Sequence, residues 1–248
     1  MDKNIAFIFI GTKKYAEFFP DYYDSLQEKF IPEFYGVKKE VLVFTDDPDL
    51  DMFNKSDVKV FKIEHKPWPF ITLKRFEFIM QAEEYLKKFS DIIFMDADMI
   101  VNDYVHSDFL GAYEYYFGVQ HPGQWMYGPV CEFEKNPEST AYVSKEISDT
   151  RYRQGCFWGG KNPHILKMIE TLRDNVNADL SKKIIAAWHD ESHLNRFFTD
   201  NEEKVVTFSP GFAYPETWDM PQVPKMIIHK DKNMQEFPRF RSGKVEDD

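Results

Sequence analysis

Cysteine is scarce in this chain. Only Cys131 and Cys156 occur in 248 residues. A disulfide scaffold needs more in a small loop-rich chain, and no CxxC spacing offers a zinc site, so both read as free thiols of a reducing compartment. Long apolar runs are missing too. The first one, Ile5 to Ile10, is too short for a signal peptide, and nothing approaches the ~18 residues of a membrane span. The expectation is a soluble, cytoplasmic protein with no membrane span. Positive charge is in deficit: 31 Lys and Arg against 42 Asp and Glu leave a formal net charge of -11. That excludes a general nucleic-acid binder, whose affinity comes mostly from neutralising phosphates. It leaves a nucleotide ligand open, because a metal and one or two basic residues can meet its few charges. No Gly/Ser linker and no repeat divides the chain, so it reads as one domain.

What is present is apolar and patterned. Hydrophobic residues are 43% and aromatic ones 17%, enough to exclude a disordered chain. Ile5 to Ile10 is a short continuous apolar run ending at Gly11 and Thr12, as expected of a strand buried on both faces. Residues 15–30 have helical spacing. Val41 to Thr45 and Val58 to Ile63 read as further strands, Thr72 to Phe89 as one long amphipathic helix, and Ile92 to Met95 as a fourth strand. Beyond them lie expected helices over Pro163 to Val176 and Glu191 to Phe198, and a strand over Val205 to Phe208. Alternating strands and helices predict an α/β fold with a mostly parallel central sheet flanked by helices, and ligands at the carboxyl ends of its strands.

The fourth strand runs into Asp96, Ala97 and Asp98. Two acidic side chains inside an apolar stretch are costly unless something pairs with them. In an extended segment they point the same way. Two oxygen ligands on one side suit Mn²⁺ or Mg²⁺, which also binds substrate phosphate oxygens. A plain turn or cap role is the bland alternative. A phosphatase of the haloacid-dehalogenase type also carries DxD after a strand, but after its first strand and with Thr or Val two residues on. Here the pair follows the fourth strand, and that position is Ile100.

The segment Ala186 to Asn195 concentrates Trp188, His189, Asp190, Glu191, Ser192 and His193. Asp190 reads equally well as the N-cap of the next helix. Glu191 beside Trp188 offers a carboxylate to act as a nucleophile or against a developing cation. His189 and His193 have zinc spacing but no HExxH order and no third ligand.

The run from Trp188 to Asn195 resembles the signature of glycosyltransferase family 6, which includes the blood-group A and B transferases and the α-1,3-galactosyltransferase. Segments in the same order are similar as well: Thr12 to Tyr15, Trp68 with Thr72 to Arg75, Asp96 to Asp98, His121-Pro122, Phe133 to Tyr142, Gly159-Gly160 and Ser209-Pro210. The resemblance implies a single GT-A domain over 1–248, with a nucleotide-binding lobe (1–105), an acceptor and catalytic lobe (106–230) and a basic tail (231–248). It implies a retaining transfer of galactose or N-acetylgalactosamine from UDP-Gal or UDP-GalNAc to the 3-hydroxyl of a galactose-terminated oligosaccharide. By position, Tyr15 stacks on uracil, and Ile10, Gly11 and Thr12 contact the nucleoside. Asp96 and Asp98 hold the metal beside Ala97, and Arg75, Asp96 and Asp190 touch the donor sugar. Gln154, Gly155 and Cys156 correspond to residues that set donor choice, in a combination the family pattern does not decode. Glu191 lies below the anomeric carbon; His121, Trp188 and Glu216 receive the acceptor. Lys232, with Arg239 or Arg241, supplies cations to the diphosphate, the tail closing over UDP. The degraded run Phe133 to Asn136 departs from the family's Tyr-Glu-Arg-Arg. A start so near the first strand matches microbial members. A carbohydrate-binding relative without transfer is the competing reading, since an aromatic-rich second half also suits sugar stacking.

Overall fold

A computed structural model describes residues 3–32, 36–128, 132–144 and 151–231. Ten strands are described: β1 (Lys3–Ile10), β2 (Val37–Thr45), β3 (Val58–Lys62), β4 (Asp91–Met95), β5 (Met99–Val101), β6 (Tyr116–Gln120), β7 (Arg153–Lys161), β8 (Val205–Phe208), β9 (Tyr214–Pro215) and β10 (Ile227–His229). The helices are α1 (Phe19–Lys29), α2 (Phe70–Leu73), α3 (Arg75–Met80), α4 (Glu83–Leu86), α5 (Pro122–Tyr127), α6 (His164–Ser181) and α7 (His189–Asp200). None among the described residues is long and apolar enough to cross a membrane.

Seven strands form one sheet in the order β3-β2-β1-β4-β7-β6-β8. The chain moves outward from β1 through β2 to β3, then returns to place β4 on the other side of β1, all parallel. The switch point therefore lies between the carboxyl ends of β1 and β4, where ligands of open α/β sheets bind. β7 is antiparallel to both β4 and β6, and β8 is parallel to β6. A second, three-stranded sheet (β5-β10-β9) lies beyond the β4 end, with His229 of β10 opposite Met99.

The strands explain themselves. Side chains alternate across a strand, so Ile5, Phe7 and Phe9 of β1 enter one core and Ala6 and Ile8 the other. Each fully buried Phe or Ile contributes about 1.5–3 kcal/mol, which is why an uninterrupted apolar run is stable only in the middle of a covered sheet. The expected helix over 72–89 is three short pieces instead. Lys74 (φ -86°, ψ 3°) and Ala82 (φ -100°, ψ 15°) break it. Phe76 and Phe78 are both buried, though a straight helix would set them roughly 200° apart. Both lie in α3 between the two breaks, and Arg75 at its start is buried with them.

Candidate functional site

Asp96 follows β4 directly. The chain there is not extended as the alternation argument assumed: the Met99 N–H donates to the Asp96 carbonyl at 3.1 Å, closing a turn. The Asp96 N–H donates to the Cys156 carbonyl (2.9 Å), and the Lys230 N–H to the Asp98 carbonyl (2.9 Å). The turn is thus tied to both sheets, and it still brings the two carboxylates together. Asp96, Asp98 and His229 each place one ligand atom within 4.8 Å of the others, with His229 Nε2 3.3 Å from Asp98 Oδ2. Asp98 is 1% exposed and Ala97 is buried beside it.

The reversed direction of β7 brings its beginning, Arg153 to Cys156, to the rim where β4 ends. Its pairing with β6 is irregular there: Trp158 faces Gly118, yet Gln154 faces Val119. Three residues bulge between them, and the bulge frees peptide groups from the ladder. The Gly155 N–H donates to the Glu191 carboxylate (2.7 Å), and the Gly155 carbonyl accepts from Arg75 Nη1 (3.0 Å). A Cβ at 155 would sit 3.2 Å from the Glu191 Cβ, so glycine is what lets the carboxylate come this close. The Cys156 thiol is buried in the core. Burial, then Asp96 and Glu191, push its pKa up, so it stays neutral.

Arg75 links the parts. Beyond Gly155 it meets Asp190 (Nε to Oδ2, 3.1 Å) and Asp96 (Nη2 to Oδ1, 3.5 Å), with its guanidinium 4.5 Å from the centre of the Phe94 ring. Burial works against its charge, but Asp190, Asp96 and more distant acids outweigh it and hold it protonated. Asp190 is therefore not the N-cap of α7: the cap position is Trp188, whose N–H donates to Ser192 Oγ (2.9 Å). The Asp190 carboxylate meets Arg75 and also its own backbone N–H. His189 holds φ at 51°, a left-handed backbone that is uncommon outside glycine and clusters at functional turns. Burial raises the pKa of Asp190 to about 6 against the pull of Arg75. Burial raises Glu191 to about 7, although the Gly155 N–H and the Tyr152 hydroxyl favour its charged form.

The nucleotide segment lies at the end of β1. The Gly11 N–H donates to the Phe44 carbonyl (3.0 Å), and Thr12 Oγ1 bonds His65 Nδ1 (2.8 Å). Next to them a cavity of about 580 Å³ is lined by Lys13, Asp46, Lys62, Ile63, Glu64 and His65. Burial raises the Tyr15 hydroxyl above its usual range, and the charge of Asp96 adds to it; Ile10 is half-buried. On the other side, His121 begins α5 and accepts from the Gly123 N–H (3.0 Å). Burial, then His229, lower its pKa to about 4, so it is a neutral imidazole. Glu216 is paired with Lys230 and accepts from the Asp231 N–H (3.0 Å), while its own N–H donates to the His229 carbonyl. Trp188 is half exposed, and Trp68 stands 4.8 Å from the His189 ring. The zinc reading has no support: His193 is buried against Asp179 and Thr140. Cys131, Lys232, Arg239 and Arg241, and with them the closing tail, lie outside the described residues.

Sequence reasoning missed His229, Tyr152 and His65. His229 had a signal, since Met226 to Ile228 is an apolar run ending in a ligand residue, as Ile92 to Met95 ends in Asp96.

The model of glycosyltransferase family 6 matches residues 2–238. The chain belongs to glycosyltransferase family 6. It is similar to the O-antigen biosynthesis glycosyltransferase WbnI of Escherichia coli, 32% identical over 235 residues, which cover 94% of this chain and 97% of that protein. The histo-blood group ABO system transferase 1 of Rattus norvegicus is 27% identical over 86% of this chain and 61% of its own length. The human globoside alpha-1,3-N-acetylgalactosaminyltransferase 1 is 26% identical over 92% of this chain and 65% of its own length. The chain spans slightly less than two thirds of these two mammalian relatives. This family 6 member thus has the GT-A fold, and its reaction class is glycosyl transfer by a hexosyltransferase. Its partners are a nucleotide-sugar donor and a glycan acceptor. The family match leaves the phosphatase alternative without support.

Proposed function

We propose that this family 6 transferase moves galactose or N-acetylgalactosamine from a UDP-sugar to the 3-hydroxyl of a galactose-terminated glycan, in an α linkage and with retention, and that it requires a divalent metal. Residues 1–105 are read as the nucleotide lobe and 106–230 as the acceptor and catalytic lobe of one domain. The observation that carries the reading is Arg75 between two carboxylate groups, 3.5 Å from Asp96 and 3.1 Å from Asp190, with Glu191 one peptide group away on Gly155.

The donor set fits Mn²⁺ or Mg²⁺: Asp96 and Asp98 are oxygen ligands whose atoms converge at the sheet rim beside the expected nucleotide segment. Bound there, the ion supplies charge to offset that of the departing diphosphate. The remaining roles belong to the chain. Tyr15, Ile10, Gly11 and Thr12 border the nucleoside, and Arg75 and Asp190 orient the donor sugar. Glu191 offers its carboxylate to the anomeric carbon, either as the nucleophile of a double displacement or as the charge that stabilises an oxocarbenium-like transition state. His121, Trp188 and Glu216 flank the acceptor, and Gln154 lies at the donor. The reading treats Lys232, Arg239 and Arg241 as cations for the leaving group.

UDP release with UDP-Gal, UDP-GalNAc, UDP-Glc and UDP-GlcNAc, measured with Mn²⁺ and with EDTA, tests this. Release from the galactose-configured donors that EDTA abolishes is the expected outcome. No release in any condition would favour the carbohydrate-binding alternative, which the exposed Trp68, Trp125, Tyr127 and Trp188 also suit.

A further inference from the structure

We infer that His229 is the third protein ligand of the divalent cation, through Nε2, and that Gln154 is the positioning residue that fixes its tautomer. The inference rests on the metal reading above and goes beyond its two aspartates.

Three observations carry it. His229 Nε2 lies 3.3 Å from Asp98 Oδ2, within the three-residue convergence at Asp96. Neighbouring ligands of an octahedral ion with bonds of about 2.1 Å stand about 3.0 Å apart, so this spacing is close to one edge of such a shell. Second, Nε2 is buried and has no hydrogen-bond partner among the described residues. An orphaned buried ring nitrogen is costly unless something binds it. Third, the other ring nitrogen, Nδ1, faces the Gln154 amide at 3.5 Å, through Nε2 of that amide. The Gln154 Oε1 is itself buried without a partner.

One rearrangement gives both His229 ring nitrogens a role. A turn of the Gln154 amide about its last torsion exchanges its oxygen and nitrogen. Oε1 then accepts from Nδ1–H, and Nε2 carries the lone pair toward the two aspartates. A metal-ligating imidazole almost always donates its second N–H to an acceptor in this way. The backbone holds both residues in place. β10 sets His229 opposite Met99, next to Asp98, and the start of the β7 bulge sets Gln154 beside it. An imidazole in an otherwise oxygen shell tilts preference away from Mg²⁺ toward transition ions.

The test is Mn²⁺ binding to the full chain, with and without UDP, followed by loss of the free-ion electron paramagnetic resonance signal. Electron spin echo spectroscopy of the bound ion reports any directly coordinated nitrogen. The wild-type complex is expected to show imidazole ¹⁴N coupling. His229→Ala should remove that coupling and weaken Mn²⁺ roughly 10–100-fold, Gln154→Leu should weaken it about 10-fold, and Gln154→Glu, which keeps the acceptor, should stay within about threefold of wild type. Thermal melts check that each variant folds, and the wild-type spectrum needs no variant at all. A wild-type complex without ¹⁴N coupling, in a protein whose Mn²⁺ binding Asp98→Asn abolishes, overturns this inference and leaves the metal reading intact. Absence of Mn²⁺ binding even with UDP overturns both.

Discussion

Two pairs of carboxylates face each other across Arg75, and they are held by opposite means. Asp96 and Asp98 sit on a turn whose peptide groups are bonded to β7 and to the segment after β10. Asp190 and Glu191 sit on the first turn of α7, and their carboxylates are held mainly by side chains, Arg75 and Thr72 on Asp190 and Tyr152 with the Gly155 N–H on Glu191. The first pair converges with His229 at the rim. In the second, Asp190 is buried and Glu191 partly so, and its pKa values rise to about 6 and about 7. A rim pair set by the main chain can wait for a cation. A pair whose pKa values are raised is costly to ionise, and that cost suits Glu191 to the role of base or nucleophile proposed above near neutral pH.

Substitutions should separate the two pairs. The largest effect is expected from Glu191→Gln, which should cut kcat about a thousandfold while UDP affinity changes less than about threefold. Equal losses in both would merge the pairs into one. Asp98→Asn should lower metal-stimulated turnover about a hundredfold and abolish Mn²⁺ binding, which Glu191→Gln leaves in place. Arg75→Met strikes the hinge between them. It leaves Asp190 buried without its cation and should destabilise the protein by about 3 kcal/mol in urea unfolding at pH 8, and by less at pH 5, where Asp190 is protonated.

The pH dependence follows with a definite sign. Both α7 carboxyls have folded pKa values above their unfolded ones, so their contribution to stability is fully present below about pH 4 and is lost as pH rises through about 6 to 7. Metal-free protein should melt higher at pH 5 than at pH 8, and Glu191→Gln should flatten that decline. Turnover should run the other way, because the proposed role needs Glu191 ionised: kcat/KM should climb to a plateau above about pH 7. The smallest effect is at Gly155→Ala, whose methyl would press on Glu191 at 3.2 Å. A displacement of a few tenths of an ångström should slow kcat about tenfold with Tm nearly unchanged.

Much of the rim pair was legible beforehand, because an acidic doublet after four apolar residues is physically expensive and therefore conspicuous. Its convergence was anticipated for the wrong reason, since the chain turns there instead of extending. The α7 pair was legible in residue type through the family resemblance, but its geometry was not. Asp190 has the local look of a helix cap, and the arginine that claims it lies 115 positions earlier in a segment that reads as unbroken helix. His229 escaped because the short apolar run before it does not say which strand it joins; its pairing with β5 carries it to Asp98.

The bulge near the start of β7 has a consequence for how this site can change. Most open α/β enzymes acquire new specificities by lengthening or swapping the loops that follow their strands. Residues 154–156 belong to a strand running the opposite way, and the peptide groups that the bulge frees are taken by Arg75 and Glu191 at Gly155 and by the Asp96 N–H at Cys156. An insertion there would break those contacts, so diversification by single side chains is the expected route, and on the metal reading proposed above a replacement at Gln154 would also loosen the hold on the cation.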